Sequence, residues 1–276
     1  MTTTTRTLRG RILDAAARPL SSCWQALRSA QRSLLDGLRR VRGGRPTGFT
    51  AALRRFSNTF LTAVGVFDRD ARAVVEQWVI TTLPTLYRDG TLDALDRAPF
   101  SVRRRATRFS WSPTHTHTIT ALSAQYYADL INRISEAVRR AQAFLRAAQD
   151  QARRPEGIDR DGLLAEHPLD TVIYRNQARY PAHAWATAAL GAQATTTTNT
   201  AALTYGQSEL AADWFECSDG PGCGFLTHDD PDRADRTIRS AADALAHPLA
   251  HFGCVREWTP RPDLNNRPNL VSGAPV

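Results

Sequence analysis

"TITALSAQYYADLINRISEAVRRAQAFLRAAQDQAR", residues 118–153, decides the architecture. Ile119, Leu122, Tyr126, Leu130, Ile134, Val138, Ala141, Leu145 and Ala148 recur every three or four positions. Arg133, Arg139, Arg140 and Arg146 fall on the other faces. This period is that of an amphipathic α-helix, with one apolar stripe and a charged remainder. A stripe this long cannot be buried by the helix alone, so other helices must cover it.

The preceding sequence supplies them. Residues 8–40 place Leu8, Ile12, Ala15, Leu20, Trp24, Leu27, Ala30, Leu34 and Leu38 close to one face, with Pro19 as the expected kink or break. "GGRPTG", 43–48, reads as a turn. A second helix is expected through Leu53, Phe56, Phe60 and Val64, and a third from Asp68 as N-cap through Val74, Val75 and Trp78. Residues 97–119 read as irregular, extended where Phe109 and Trp111 alternate with polar residues. Within "THTHT", 114–118, His115 and His117 read as polar residues at a helix start, with Thr116 or Thr118 as cap.

The texture changes downstream. "RRPEGIDRDG", 153–162, is polar and turn-rich. A helix from about Ala182 to Gly206 follows, locally weakened by the threonines at 195–198. "ADWFEC", "RTIRS" and "CVREW" read as short strands, "AADALAHP" as a short helix, and "SDGPGCG" as a tight turn. Residues 261–276, dense in Pro and Asn, are expected to be disordered. The expected fold is α+β and predominantly α. A helical region, 1–155, precedes a linker, 156–181, and a small α+β domain, 182–260.

Charge is unevenly placed. The chain carries a formal charge of +8, and all of its basic residues are arginine. Residues 1–55 hold twelve arginines against Asp14 and Asp36, so this stretch alone exceeds the net charge of the whole chain. A basic head suits an anionic partner, either nucleic acid or an acidic protein surface, though solvated helix faces carry such charge equally well. No run approaches the roughly eighteen apolar residues of a membrane span. The first twenty residues lack the apolar core of a secretory signal, which points to the cytoplasm.

Chemistry-bearing side chains gather near the end. "AHPLAHFGC", 246–254, brings His247, His251 and Cys254 together, shortly after Cys217 and Cys223. Cys217, Cys223, His251 and Cys254 make a Cys3His set able to hold a closed, structural zinc. Five residues separate Cys217 from Cys223, against the usual two to four or so. Buried thiols that merely pack, or a Cys217–Cys223 disulfide, account for the same residues. "HDDPDRAD", 228–235, is not an EF-hand: counted from Asp230, Asp235 stands where glycine is required and Ala241 where glutamate is required. Phosphate-binding glycine loops, nucleophile elbows and metalloprotease helix motifs are all missing.

The stretch "WFECSDGPGCGFLTHDDPDRADRTIRSAADALAHPLAHFGCVREWTPR", 214–261, resembles the C-terminal region of Mu F-like phage minor head proteins of actinobacterial phages and prophages. "QWVITTLPTLYRDG" and "FSWSPTHTHTITALSAQYYADLINR" resemble the helical half of the same family, so the likeness spans roughly 70–260. It departs at the corner, where His251-Phe252-Gly253-Cys254-Val255-Arg256 stands in place of the family's His-Pro-Asn-Cys-Arg-Cys. The resemblance implies a non-enzymatic virion component. It would assemble in the host cytoplasm with the portal and other head proteins and serve DNA packaging or delivery, without a membrane partner. Two other readings compete: a metal-dependent nuclease or Cys/His hydrolase in the C-terminal domain, and a non-specific DNA-binding module working through residues 1–55.

Overall fold

The computed structural model describes residues 3–41, 46–104, 109–174, 176–219, 234–251, 253–267 and 269–275. Helix α1 (Thr3–Val41) precedes α2 (Pro46–Gln77), which is followed directly by a π-helical turn at Trp78–Thr82 and by α3 (Leu83–Arg97). Next come α4 (Phe100–Arg103), α5 (Pro113–Arg153) and α6 (Arg160–Glu166), the hairpin of β1 (Thr171–Ile173) and β2 (Arg179–Pro181), and α7 (Ala182–Leu210). The chain continues through β3 (Trp214–Ser218), β4 (Thr237–Ser240), α8 (Ala241–Ala246), β5 (Glu257–Pro260), a 3-10 turn at Pro262–Leu264, and β6 (Ala274–Pro275). The fold is α+β and predominantly α, as the sequence implies.

Two expectations about the helices change. Pro19 lies inside α1 and does not break it. Leu20, Trp24, Leu27, Leu34, Leu35 and Leu38 are all buried beyond it, and that burial exceeds the ~3 kcal/mol that an internal proline costs. Asp68 does not cap a third helix. It sits within α2, where its carboxylate accepts from the Arg72 guanidinium at 2.8 Å, one turn on. The real irregularity comes later, at Trp78–Thr82, one turn before Pro84. A proline has no N–H and its ring crowds the carbonyl four residues back, so a π-turn there accommodates both defects.

The chain gathers into two compact units. One comprises Asp14–Gln77 and Tyr127–Thr187. Its aromatic core sets Trp24 edge-on to Phe67 at 4.9 Å and Phe60 against Phe144 at 5.5 Å. Residues 156–181, expected as a linker, hold α6, β1 and β2 and are tied into this unit. Arg140 donates to the carbonyls of Pro168 and Thr171, and Gln31 donates to that of His167. A polar, turn-rich segment here marks a change of direction, with Leu163, Leu169 and Val172 buried along it.

The other unit comprises Met1–Leu13, Trp78–Tyr126 and Ala188–Val276. Its centre is an antiparallel sheet of order β5-β3-β4-β6. Leu203 of α7 joins Phe215, Cys217, Ala241, Ala244 and Trp258 in the core beneath the sheet. Close approach sets α7 in place. A Cβ at Gly206 would strike the Phe215 ring, and one at Gly90 of α3 would strike the backbone of Thr198. The threonine run of α7 is largely buried yet helical, because Thr198 back-bonds to Ala194 and Asn199 serves carbonyls outside the helix. The segment 261–276, expected to be disordered, carries the 3-10 turn and β6. Asn265 donates to the Ala211 carbonyl and accepts from Asp213 N–H, while Ala274 pairs with Ile238 at the sheet edge. These hydrogen bonds act beside the buried side chain of Leu264.

Candidate functional site

The C-terminal corner is built on the β3–β5 pairing, which sets Cys217 opposite Trp258 and Ser218 opposite Glu257. One residue past β3 stands Asp219, and one before β5 stands Arg256. Their side chains, both fully shielded from solvent, meet as a two-pronged fork: Arg256 Nε to Asp219 Oδ1 at 2.8 Å and Nη2 to Oδ2 at 2.9 Å. The third nitrogen, Nη1, donates to the His247 carbonyl at 3.1 Å, and the guanidinium lies 5.6 Å from the Trp258 ring centre. The Arg256 backbone is held too. Its carbonyl accepts from Asn199 Nδ2 at 2.8 Å, and the same amide donates to Pro248 at 2.7 Å. Burying two charges costs several kcal/mol each, and this geometry offsets it by satisfying most of the guanidinium's donors.

The predicted ligand set maps onto this corner in pieces. Cys217 is buried in the core beneath the sheet. Cys254 is buried, its Sγ accepting from Arg256 N–H at 3.3 Å and its carbonyl from Thr195 Oγ1 at 3.5 Å. His251 is half-buried, and its carbonyl accepts from Cys254 N–H. Cys223 lies outside the described residues, as does most of "HDDPDRAD". Among the described residues, no group of three or more His, Cys, Asp or Glu side chains is arranged to hold a metal ion. Asp219 and Arg256 were not singled out by the sequence, although both flank the quoted motifs. Asp219 opens the glycine turn and Arg256 closes the corner.

Nearby, α8 begins with a capping arrangement in which Ser240 Oγ accepts from Asp243 N–H. Burial works against the charge of the Asp243 carboxyl, but hydrogen bonds from Ser272, Arg239 and His247 outweigh it and hold the carboxyl below its ordinary range.

A second polar cluster surrounds His115. The residue lies in the first turn of α5, capped by Ser112 Oγ and not by Thr116 or Thr118. It is fully buried, whereas His117 is exposed. Tyr87 Oη lies 2.9 Å from Nδ1, and the rings of Phe109 and Tyr205 stand 5.2 and 6.1 Å away. Nε2 has no hydrogen-bond partner, and its nearest charge is Glu209 Oε1 at 3.9 Å. Burial pushes the imidazole below its ordinary pKa, only partly opposed by Glu209. The cluster therefore holds a neutral imidazole inside an aromatic wall. Alternating polar threonines hid it in the sequence; only the apolar neighbours Phe109 and Trp111 hinted at burial.

No helix among the described residues is long and apolar enough to cross a membrane. Compared with protein-family models, curated proteins and solved structures, the chain finds no match in any of the three.

Proposed function

We propose that this chain is a Mu F-like minor head protein, a structural component that works by holding partners at the portal vertex of a phage head and not by catalysis. The observation behind this reading is the Asp219–Arg256 fork. This ion pair of the C-terminal module is sealed from solvent and spent on joining a strand end to a corner, which suits a clamp more than a reacting centre. The sequence likeness over roughly 70–260 gives the clamp its biological setting. The portal and other head proteins are its partners, DNA is reached through the arginine-rich residues 1–55, and the protein passes from host cytoplasm to virion. A zinc held by Cys217, Cys223, His251 and Cys254 belongs to the same proposal and would be structural.

Two experiments test it. Particles of the phage or prophage that carries the gene are purified and their proteins identified by mass spectrometry, and the chain is co-expressed with the portal protein of the same phage or prophage. Recovery in particles and co-purification with the portal are expected; failure of both overturns the reading. For zinc, elemental analysis compares the purified protein with Cys254→Ala. Stoichiometric metal that is lost in the variant is expected, and equal, negligible zinc in both removes the ligand assignment.

A further inference from the structure

We propose that Phe100, Arg103, Arg104 and Trp111 form a surface that binds single-stranded nucleic acid without sequence preference. This is separate from the arginine-rich residues 1–55 and does not rest on the head-protein reading. The stretch "RAPFSVRRRATRFSWS", 97–112, contains no acidic residue. Arg97 is committed to Glu257 at 3.0 Å. Arg103 and Arg104 are exposed and make no ion pair among the described residues, and their guanidinium carbons stand 5.8 and 6.0 Å from the Phe100 ring centre.

The rings are presented outward. Phe100 is 67% exposed and Trp111 47%. Beneath them, Val102 and Phe109 pack on the cluster of Ala94, Ala98, Ala202, Tyr205 and Leu210. Trp111 leans on Phe109 at 5.1 Å and stacks on Tyr87 at 5.8 Å. Exposed aromatic rings beside guanidiniums that make no ion pair are what a stacked base and its phosphate require, and every base offers a π-face. A membrane surface fits less well. The exposed apolar area is one phenylalanine and part of a tryptophan on a four-residue helix, too little for stable insertion.

The test is fluorescence anisotropy of a labelled oligothymidylate across a sodium chloride series. A mixed-sequence duplex and vesicles of phosphatidylcholine and phosphatidylserine serve as comparisons. The wild type should bind the single strand more tightly than the duplex. Phe100→Ala should weaken it about fivefold or more at unchanged salt slope, and Phe100→Trp should retain binding. Arg103→Gln with Arg104→Gln should flatten the log–log salt slope by about 1.4. All substitutions are at exposed positions, and circular dichroism checks folding; should Phe100→Ala fail to fold, Phe100→Trp and the arginine pair carry the test. Absence of oligonucleotide binding at low salt, binding that both sets of variants leave unchanged, or capture of vesicles but not oligonucleotide overturns the proposal.

Discussion

Removing one member of the Asp219–Arg256 pair is the sharpest perturbation the fold offers. In Asp219→Ala the Arg256 guanidinium keeps its contact with the His247 carbonyl but loses both hydrogen bonds to the carboxylate. Both prongs are lost from a guanidinium that is fully shielded from solvent. A buried ion pair broken from one side costs about 3–5 kcal/mol. Arg256→Met should cost a similar amount, leaving the carboxylate stranded and the His247 carbonyl short of a donor. The double variant removes both charges, so its loss should fall well below the sum of the singles, with a coupling of about 2 kcal/mol or more. Urea unfolding followed by circular dichroism measures all three. Amide exchange in Trp214–Ser218 and Glu257–Pro260 reports whether the loss is local to β3 and β5. An Asp219→Ala cost under about 1 kcal/mol, the value of an exposed pair, would refute the claim that the fork is buried. Strict additivity in the double variant would refute the claim that the two side chains meet.

Other outcomes follow from single sites. Trp24→Ala removes a ring that is 1% exposed and packed against Phe67 and Trp185, and should cost about 3–5 kcal/mol in urea unfolding. Gly90→Ala would stabilise an open helix, but here the new Cβ meets the Thr198 backbone, so a loss on the order of 1–3 kcal/mol is expected and a gain would overturn the close approach of α3 and α7. Ala211 adopts φ +50 after α7, so Ala211→Gly should raise stability by about 1 kcal/mol, read as a higher urea midpoint. Burial lowers the His115 pKa from 6.5, so its stabilising share is whole above that value and is lost as pH falls through it toward the folded pKa. Urea midpoints should therefore drop between neutral and mildly acidic pH in the wild type and drop less in His115→Gln.

Periodicity made the helices legible and misjudged where they stop. The 118–153 stripe is real, but the buried line runs through Ala137 and Phe144 as well as Ile134 and Ala141. Local breakers were given too much weight. Pro19 and Asp68 are compatible with helix when the flanking stripe is buried, whereas the effect of Pro84 falls one turn upstream of the proline itself. The last fifteen or so residues misled in the opposite direction. Composition says only that they cannot form a core, while Asn265, Ser272 and Gly273 fasten them through hydrogen bonds to groups the sheet leaves open.

The site was harder to read because its decisive pair is made by the fold. Asp219 and Arg256 are 37 positions apart, and each is an ordinary residue beside a more conspicuous one, cysteine or histidine. Sequence reasoning weights rare, soft ligands. A buried ion pair is built from common residues, and only the β3–β5 register brings them together: once Cys217 faces Trp258, the residues just beyond must meet. The two buried thiols, Cys217 and Cys254, each stand two residues before a member of that pair. Whatever Cys223 contributes, the corner has a rigid reason to exist without it. That separates two roles that the motif alone merges. The fork sets the shape of the corner, and any sulfur–imidazole chemistry is an addition to a shape already set. A Cys254→Ala variant whose urea midpoint falls much less than that of Asp219→Ala is the outcome this ordering requires.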